Sequence, residues 1–298
     1  MEFLTICPVC KNANIKTYNT VKDQFLSKEE FTISICESCK FLFTNPRPDQ
    51  KKLINYYKSD DYISHGKSKS SLLEFIYNIV RNYSYSKKFQ LINNHSVGKN
   101  ILDIGCGTGE FLSYFQRKGW KTFGIEPATE PRNFAKTNFN LEIEDESSLD
   151  LLSSESFDVI TMWHVLEHVM DIDQRISQIK RILKENGLLV FALPNYLSWD
   201  CKYYDSFWAA WDVPRHLSHF TYHTFQKLIQ NHNLDLIKTI PMKFDAYYVS
   251  LLSEKYMGSS FPFLHAFKNG FKSNYYAKKH SNNYSSLIYL VKKRQIEN

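Results

Sequence analysis

The middle of the chain alternates between short apolar runs and segments whose apolar side chains recur at helical spacing. Short apolar runs bounded by turn residues predict the strands of a largely buried sheet. The predicted strands cover residues 101–104, 121–126, 140–144, 157–163, 187–193, 234–240 and 286–291. A helix is predicted at 110–118 after the first strand and another at 224–232 after the fifth. This order is typical of a doubly wound α/β sheet.

Two regions outside the alternating strands and helices also carry a structural prediction. Residues 50–58 and 72–80 carry apolar side chains at helical spacing, so a helical linker or lid is predicted over 49–95. Residues 56–66 between these helices would form either the lid itself or a connector. Residues 243–284 separate the last two strands and form a long insertion rich in aromatic side chains. Because loops of this length are often functional, we expect the insertion to join the acceptor side of the site.

Four of the six cysteines form two Cys-x-x-Cys pairs near the start of the chain. Strand-like alternation at 31–35 and an apolar run at 41–43 predict a hairpin around the second pair. Two such pairs present four thiolates to one ion, which makes a closed, tetrahedral and therefore structural zinc site. The predicted zinc ribbon covers residues 1–48, and its ligands are Cys7, Cys10, Cys36 and Cys39. Unligated thiol pairs with a redox role are the alternative.

The composition is that of an ordinary globular protein, with 43% hydrophobic and 23% charged residues. The chain has neither a basic-then-apolar leader nor an apolar run near the ~20 residues that span a bilayer. A cytoplasmic location without a transmembrane segment is therefore predicted. The net charge of +6 is concentrated in a basic C-terminal region after Glu254. Such a region favours peripheral contact with phosphates or a lipid surface, or else forms a solvated basic face.

The first predicted strand ends in a turn with three glycines at alternate positions. Asp103 lies near the strand end, and Gly105, Gly107 and Gly109 follow, so a ligand can lie against bare backbone. A dinucleotide-binding fingerprint requires a glycine where this chain has Glu110, and a carboxylate there would repel a pyrophosphate. The loop instead resembles the cofactor loop of class I S-adenosylmethionine-dependent methyltransferases.

This resemblance implies a seven-stranded, doubly wound Rossmann-like methyltransferase sheet over residues 96–298, with S-adenosylmethionine as cofactor. Glu126 ends the second strand, where an acid can accept bonds from both ribose hydroxyls. In that family an acid just past the third strand lies near the adenine amino group, and Glu146 with Ser147 is the best match. A solvated loop charge is the alternative for Glu146. The implied cofactor-binding residues are Asp103, Gly105, Cys106, Gly107, Gly109, Glu126, Glu146, Ser147, Trp163 and His164.

Two histidine-bearing stretches follow the fourth and fifth strands, at the carboxyl ends where ligands bind in open α/β sheets. His164 and His168 would face one side of a helix that begins there. An oxygen or carbon acid must lose a proton to accept a methyl group, so His216 and His168 are the predicted catalytic bases. The predicted acceptor-binding residues are Arg215, Trp211 and His219. The arginine would clamp an anionic group. The alternative is a hydrophobic cap packed on the sheet.

Residues 166–169 and 212–221, together with the cysteine pairs, resemble a bacterial methyltransferase subgroup related to ubiquinone-type O-methyltransferases and sugar C-methyltransferases. The resemblance implies methyl transfer to oxygen or carbon of a small molecule, such as a nucleotide- or lipid-linked sugar or a secondary metabolite. An rRNA guanine methyltransferase with a zinc ribbon is the alternative. Residues 1–48 carry six basic and five acidic side chains, and this near balance does not favour nucleic-acid binding. A scaffold that keeps the fold without catalysis is the third hypothesis.

Overall fold

The structure is a computed structural model that describes residues 1–57 and 71–295, with residues 71–80 described by their backbone alone. Most of the stretch 56–66, the predicted lid or connector, lies outside the described residues. The chain divides into two compact units. The first comprises Met1–Lys58, His164–Arg175 and Phe191–Tyr289, and the second comprises Ser59–Trp163, Ile176–Val190 and Leu290–Asn298. The domain boundaries at residues 48 and 95 stay predictions.

The strands and helices of the middle part follow the predicted order. In the described residues the strands are β1 (Ile15–Lys22), β2 (Glu30–Cys36), β3 (Leu42–Thr44), β4 (Asn100–Ile104), β5 (Lys121–Ile125), β6 (Ile143–Glu144), β7 (Phe157–Trp163), β8 (Leu183–Pro194), β9 (Ser218–His219), β10 (Leu234–Pro241) and β11 (Ser286–Lys293). The helices are α1 (Gln50–Leu53), α2 (Ser71–Asn93), α3 (Glu110–Gln116), α4 (Thr129–Phe139), α5 (Ile172–Ile182), α6 (Trp199–Tyr204), α7 (Tyr222–Asn231), α8 (Asp245–Tyr256) and α9 (Pro262–Lys279).

A seven-stranded sheet has the strand order β10-β11-β8-β7-β4-β5-β6. β4 pairs in parallel with both β5 and β7, and β5 pairs in parallel with β6. The chain runs outward from β4 to β6 and then returns to β7 on the other side of β4, so the strand order reverses there. The carboxyl ends of strands at such a reversal are where ligands bind in open α/β sheets. The predicted α/β class with a doubly wound seven-stranded sheet is confirmed.

A second sheet has the order β1-β2-β3-β9. β1 and β2 form an antiparallel hairpin, and β3 adds to β2 in the same sense. The fourth strand, β9, comes from far along the chain: Leu42 pairs with His219, and Phe43 pairs with Ser218. The hairpin predicted around the second cysteine pair is therefore present, but its sheet is completed by residues that lie outside the predicted ribbon.

The insertion predicted at 243–284 is a helical hairpin made of α8 and α9. Gly258 has a φ of 70° at the end of α8, a conformation that glycine adopts without strain. Pro262 begins α9, where its missing N–H costs no hydrogen bond. α9 packs closely on α8, since a Cβ added to Gly270 would lie 2.6 Å from Cδ1 of Tyr247. The absence of a side chain at Gly270 thus allows the two helices to approach this closely.

The outer face of α9 is apolar and solvent-exposed. Its exposed apolar side chains are Phe263, Leu264, Phe267, Phe271 and Tyr275. The four aromatic residues recur every fourth position, so they form one stripe along the helix. The buried residues of α9, which include Ala266, Ser273 and Ala277, are small and lie on a different face. No helix in the described part of the chain is both long enough and apolar enough to cross a membrane.

Candidate functional site

The glycine turn after β4 places bare backbone at the strand end. Gly105, Gly107 and Gly109 have φ values of 72°, 54° and 81°, all in the left-handed region that favours glycine. A Cβ added to Gly107 would meet nothing within 4 Å, so this position faces open space. A Cβ added to Gly109 would instead lie 2.8 Å from the Cβ of Ala135. Gly107 therefore leaves room for a ligand, whereas Gly109 lets α3 pack against α4.

Glu126, which follows β5, is tied to this turn through its carboxylate. Its Oε2 accepts a hydrogen bond from the backbone N–H of Gly107 at 2.9 Å, and its Oε1 accepts one from Ala128 at 2.9 Å. Burial raises the pKa of this carboxyl. A carboxylate has about four lone-pair positions, so each oxygen can accept one further hydrogen bond. This arrangement fits the two adjacent hydroxyls of a ribose.

Asp103 lies buried within β4, beside the turn. Its Oδ1 accepts a hydrogen bond of 2.5 Å from the hydroxyl of Thr161 on β7. Burial raises the pKa of Asp103 to about 7, although Thr161 and Lys88 oppose the shift. Ionisation of this carboxyl is therefore disfavoured relative to that of an exposed aspartate, even with Lys88 nearby. A cationic ligand would stabilise the charged form.

The remaining predicted cofactor residues of this unit contribute in different ways. The sulfur of Cys106 packs against Gly124, since a Cβ added there would lie 2.7 Å from it, so Cys106 offers a ligand its backbone. The hydroxyl and N–H of Ser147 are bonded to Asp145. Glu146 lies near enough to Glu126 to contribute to its raised pKa. The structure thus brings Glu146 close to the acid that follows β5.

Trp163 ends β7 with its ring against Phe111, at a centroid distance of 5.6 Å. The ammonium of Lys88 lies 3.7 Å from the centre of the indole, a distance suited to a cation–π contact. The buried indole Nε1 has no hydrogen-bond partner among the described residues. Buried donors are nearly always paired, so this one is suited to a ligand that accepts a hydrogen bond.

The four cysteines of the N-terminal pairs converge. The sulfurs of Cys7 and Cys39 lie 3.5 Å apart, those of Cys10 and Cys36 lie 3.4 Å apart, and all four fall within 4.8 Å of one another. Zinc–sulfur bonds of about 2.3 Å in a tetrahedron place neighbouring sulfurs about 3.8 Å apart. The cluster therefore fits one zinc ion, which would supply a structural cross-link and no open coordination position.

The ribbon sheet also positions the segment 216–219. Besides the β3–β9 pairs, the hydroxyl of Thr44 donates a 2.7 Å hydrogen bond to the carbonyl oxygen of His216. The Nε2 of His219 lies 3.4 Å from the same hydroxyl. Burial lowers the pKa of His219 well below its ordinary value, so this ring is neutral. The cysteine module and the predicted acceptor segment are parts of one unit.

His164 and His168 do not share a helix face as predicted. His164 has a φ of 57°, and a 3₁₀ turn at Leu166–His168 follows it. The ring of His164 lies between two carboxylates, with Nε2 3.1 Å from Asp245 and Nδ1 3.3 Å from Glu167. These partners raise its pKa to about 10 against the opposing effect of burial. His164 is therefore a cation held by two acids of its own unit.

The two predicted bases, His168 and His216, meet. Their ring centroids lie 4.6 Å apart, nearly perpendicular to each other. Burial lowers the pKa of His168 to about 4 and also lowers that of His216, so both rings are neutral near pH 7. Glu167, which our sequence analysis did not single out, joins them through a carboxylate within 4.8 Å of a nitrogen of each ring. The sequence feature that could have indicated Glu167 is its position between His164 and His168.

Arg215 is not open to an anionic acceptor in this structure. Its side chain is 2% exposed, and its five N–H donors are directed at Asp212, Asp23 and the carbonyl oxygen of Tyr56. No donor remains for a clamp of the predicted kind. The two acids explain this outcome, because a buried guanidinium requires paired charges. Asp23 lies in the ribbon, so its role could not be inferred from the residues around Arg215.

The predicted acceptor-binding aromatics are largely packed into a core. Trp211 is buried and donates through Nε1 to the carbonyl oxygen of Asp205 at 2.8 Å. It belongs to a hydrophobic cluster that includes Tyr204 and Trp208. A small cavity is lined by Trp208 of this cluster and also by His216 and His219. Trp211 therefore packs as in the alternative prediction of a hydrophobic cap. His216 and His219, in contrast, line the small cavity.

Comparison with known proteins identifies the family. A family model described as a methyltransferase domain matches residues 77–239, which is more than half of the chain. The chain belongs to this methyltransferase family. The glycine turn, Glu126 and the strand reversal lie within the matched residues, so the family assignment and the cofactor geometry concern the same part of the protein.

Curated relatives match a shorter stretch. The ubiquinone biosynthesis O-methyltransferase of Actinobacillus pleuropneumoniae serotype 5b is 34% identical over 113 residues, which are 34% of this chain and 48% of that protein. The protein of the same name from Haemophilus ducreyi is 32% identical over 113 residues, with the same coverage. The chain thus spans about half the length of the curated relatives it matches.

Solved structures share the fold at low sequence identity. The geranyl diphosphate C-methyltransferase of Streptomyces coelicolor A3(2), solved with Mg²⁺, geranyl diphosphate and S-adenosyl-L-homocysteine, has a TM-score of 0.56 and 12% identity to this chain. The superposition covers 83% of this chain and 99% of that one. This similarity supports the fold and carries no information about the acceptor of the present protein.

Proposed function

We propose that this protein transfers a methyl group from S-adenosylmethionine to an oxygen or carbon atom of a small molecule. The observation that carries the proposal is the buried carboxylate of Glu126, which is fixed by Gly107 and Ala128 and keeps lone pairs for a diol. A nicotinamide dinucleotide would require a pyrophosphate beside Glu110, which like charge disfavours. The curated relatives named as O-methyltransferases support the same reaction class.

The chain's own residues account for cofactor binding. Glu126 would accept hydrogen bonds from the ribose hydroxyls, and the backbone around Gly107 would lie against the ligand. Asp103 would balance positive charge, and Glu146 would lie near the adenine. When bound, S-adenosylmethionine supplies an electrophilic methyl group on a sulfonium. Alignment of two reactants can supply ~7–11 kcal/mol of the barrier reduction, so the protein's main task is to orient them.

Proton removal from the acceptor remains assigned to His216 or His168. Both rings are neutral at pH 7, the form that can accept a proton. Burial lowers the pKa of His168 to about 4, which makes this ring a weak base near pH 7. His216 is the favoured base because it borders the small cavity and its Nδ1 is fixed by the carbonyl oxygen of Ala210 at 2.9 Å. A fixed ring presents its second nitrogen in one direction, and general-base help of this kind contributes about 10²–10⁴-fold in rate.

The acceptor is proposed to be a nucleotide- or lipid-linked sugar or a related metabolite. Because Arg215 is fully engaged, an anionic group of this acceptor would have to bind elsewhere in the protein. RNA is the competing acceptor, and the nearly balanced charge of residues 1–48 argues against it. Transfer of labelled methyl from S-adenosylmethionine to a panel of sugar nucleotides, lipid-linked sugars, quinols and ribosomal RNA would decide. Label in RNA alone would overturn the small-molecule proposal.

We also propose that α9 contacts the surface of an anionic membrane. Its exposed aromatic stripe is flanked by Lys268, Lys272 and Lys279. No acidic residue occurs between Glu254 and Glu297, so negative charge is missing from the whole helix. An apolar face bordered by lysines is the pattern of helices that lie in the interfacial region of anionic bilayers.

A second copy of the chain is a weaker partner for this face. Two copies that met through α9 would bring their lysines together, and like charges oppose such contact. Anionic lipid headgroups instead complement these lysines while the aromatic rings enter the interface. Contact with a membrane would suit an acceptor that carries a lipid.

A further inference from the structure

Glu167, His168 and His216 form a cluster of three side chains that can each offer one ligand atom to a metal ion. One ligand atom of each residue lies within 4.8 Å of the others. The Nδ1 of His168 lies 3.1 Å from the carbonyl oxygen of Arg215, and the Nδ1 of His216 lies 2.9 Å from that of Ala210. A carbonyl oxygen only accepts, so the Nδ1 of His216 carries the proton and its lone pair is on Nε2. The Nδ1 of His168 also lies 2.9 Å from the hydroxyl of Tyr57, and a proton on this Nδ1 would serve both oxygen atoms and leave the lone pair on Nε2.

The carboxylate of Glu167 lies within 4.8 Å of one ring nitrogen of each histidine. The residue is 1% exposed, and neither of its oxygens has a hydrogen-bond partner among the described residues. His164 forms an ion pair with Oε1 at 3.3 Å, which balances charge on one side. A carboxylate and two imidazole nitrogens that each offer a lone pair would repel one another at this distance, and a shared cation would remove the repulsion.

The backbone holds this arrangement in place. The N–H of Leu217 donates to the carbonyl oxygen of Glu167 at 2.8 Å, so the two histidine-bearing stretches are joined beside the cluster. Histidines that bind metal nearly always donate their other ring N–H to a carbonyl or carboxylate, which fixes the tautomer. Both His168 and His216 have such a partner. The cluster therefore has three possible metal ligands and also the backbone carbonyl groups that would orient the two imidazole rings.

We propose that Glu167, His168 and His216 bind one divalent transition-metal ion, separate from the four-cysteine site. Two imidazoles and a carboxylate suit zinc, manganese, cobalt or iron(II), and three protein ligands leave positions for exogenous oxygen ligands. With the ion bound, His168 and His216 would hold it in place of acting as bases, and an acceptor hydroxyl bound to the ion would lose its proton more easily. This last role rests on the proposed function. The metal site itself does not, because it can be measured without methyl transfer.

The test counts two kinds of site by cobalt(II) substitution of the full chain. A four-thiolate cobalt site gives an intense sulfur-to-metal charge-transfer band, whereas a nitrogen and oxygen site gives only weak visible bands. We expect about two ions per chain, one of each kind, if both sites are filled. Glu167→Gln and His216→Gln should each lose the weak bands and about one ion. Cys36→Ser should lose the charge-transfer band, and the control Glu142→Gln should keep both sites.

Two outcomes would overturn the inference. One is a parent protein that binds only the ion associated with the charge-transfer band. The other is Glu167→Gln and His216→Gln variants that fold, as judged by circular dichroism, and still bind as much metal as the parent. Calorimetry with S-adenosylmethionine tests the proposed function separately. Normal cofactor binding without a second ion would reject the metal site and leave His216 as an unassisted base.

Discussion

The guanidinium of Arg215 lies 2.8 Å from the carboxylate of Asp23, and both side chains are almost completely buried. Asp23 belongs to the loop between β1 and β2, where it also accepts hydrogen bonds from the N–H groups of Phe25, Leu26 and Ser27. Arg215 precedes His216 and is held on its other side by Asp212. This ion pair therefore joins the ribbon to the segment that carries the predicted base.

Arg215→Ala should destabilise the protein strongly. The change would leave Asp23 and Asp212 buried without their cation, and breaking a buried pair in this way costs about 3–5 kcal/mol. Chemical denaturation should show a clearly lower midpoint than that of the parent. Lys16→Ala is the control, because its partner Glu37 lies on the surface and exposed pairs contribute little. Similar midpoints for both variants would contradict the structural role of Arg215.

Removal of zinc should loosen residues 216–219 as well as the ribbon. A zinc ion would cross-link the two cysteine pairs, and β9 pairs with β3 inside the ribbon sheet, so loss of the ion should reach β9. Cys36→Ser should contain about one zinc ion fewer than the parent. Hydrogen exchange should then show faster exchange in β2, β3 and β9.

Cys201→Ala is the matched control, because Cys201 is also a buried cysteine but lies outside the four-cysteine cluster. It should keep its zinc and its exchange protection. If Cys36→Ser lost zinc while β9 stayed as protected as in the parent, the ribbon would not position that segment.

The sequence was sufficient to predict those features that depend on residues close together along the chain. The glycine turn, Glu126 and the cysteine pairs each carry a local pattern, and the alternation of strands and helices predicts the sheet. The role of Arg215 was not accessible in this way, because its partner Asp23 lies 192 residues away. The pairing of β9 with β3 also joins residues that are far apart in the sequence. In addition, a strand of two residues is too short to show a periodic pattern.

Glu126→Ala should weaken the binding of S-adenosylmethionine about ten- to a hundredfold, since a charged hydrogen-bonding group contributes about 1.5–3 kcal/mol. Isothermal titration calorimetry would measure the change. Glu142→Gln is the control, because Glu142 is an exposed acid that precedes β6. Equal affinities for the parent and Glu126→Ala would refute the ribose assignment, and binding of NAD in place of S-adenosylmethionine would refute the proposed cofactor.

Asp103→Asn should make the cofactor-free protein more stable at alkaline pH. Burial raises the pKa of Asp103 from 3.8 to about 7, so the unfolded chain ionises this group at a lower pH than the folded one. The folded state therefore loses stability as the pH rises through this window, and the neutral amide avoids the loss. The difference in melting temperature between variant and parent should grow from about pH 4.5 to about pH 8.

The same variant should bind S-adenosylmethionine more weakly, because the charge that would balance the cationic ligand is gone. Thr161→Val is a useful comparison, since it removes the hydroxyl that donates to Asp103 and keeps the carboxyl. A difference in melting temperature between Asp103→Asn and the parent that stays constant with pH would contradict the raised pKa.

The double variant Phe267→Ser and Phe271→Ser should reduce binding to vesicles of phosphatidylglycerol and phosphatidylcholine. Phe267 is 68% exposed, so its removal costs little stability but takes apolar surface from the interface. Cosedimentation of the parent should also fall with added salt, because lysines that attract anionic headgroups are screened over about 10 Å at 0.1 M. Leu151→Ser is the control, since Leu151 is 84% exposed and lies outside α9. If the parent ignored the vesicles and instead sedimented as a dimer that the double variant abolished, α9 would be a subunit interface and the membrane proposal would be wrong.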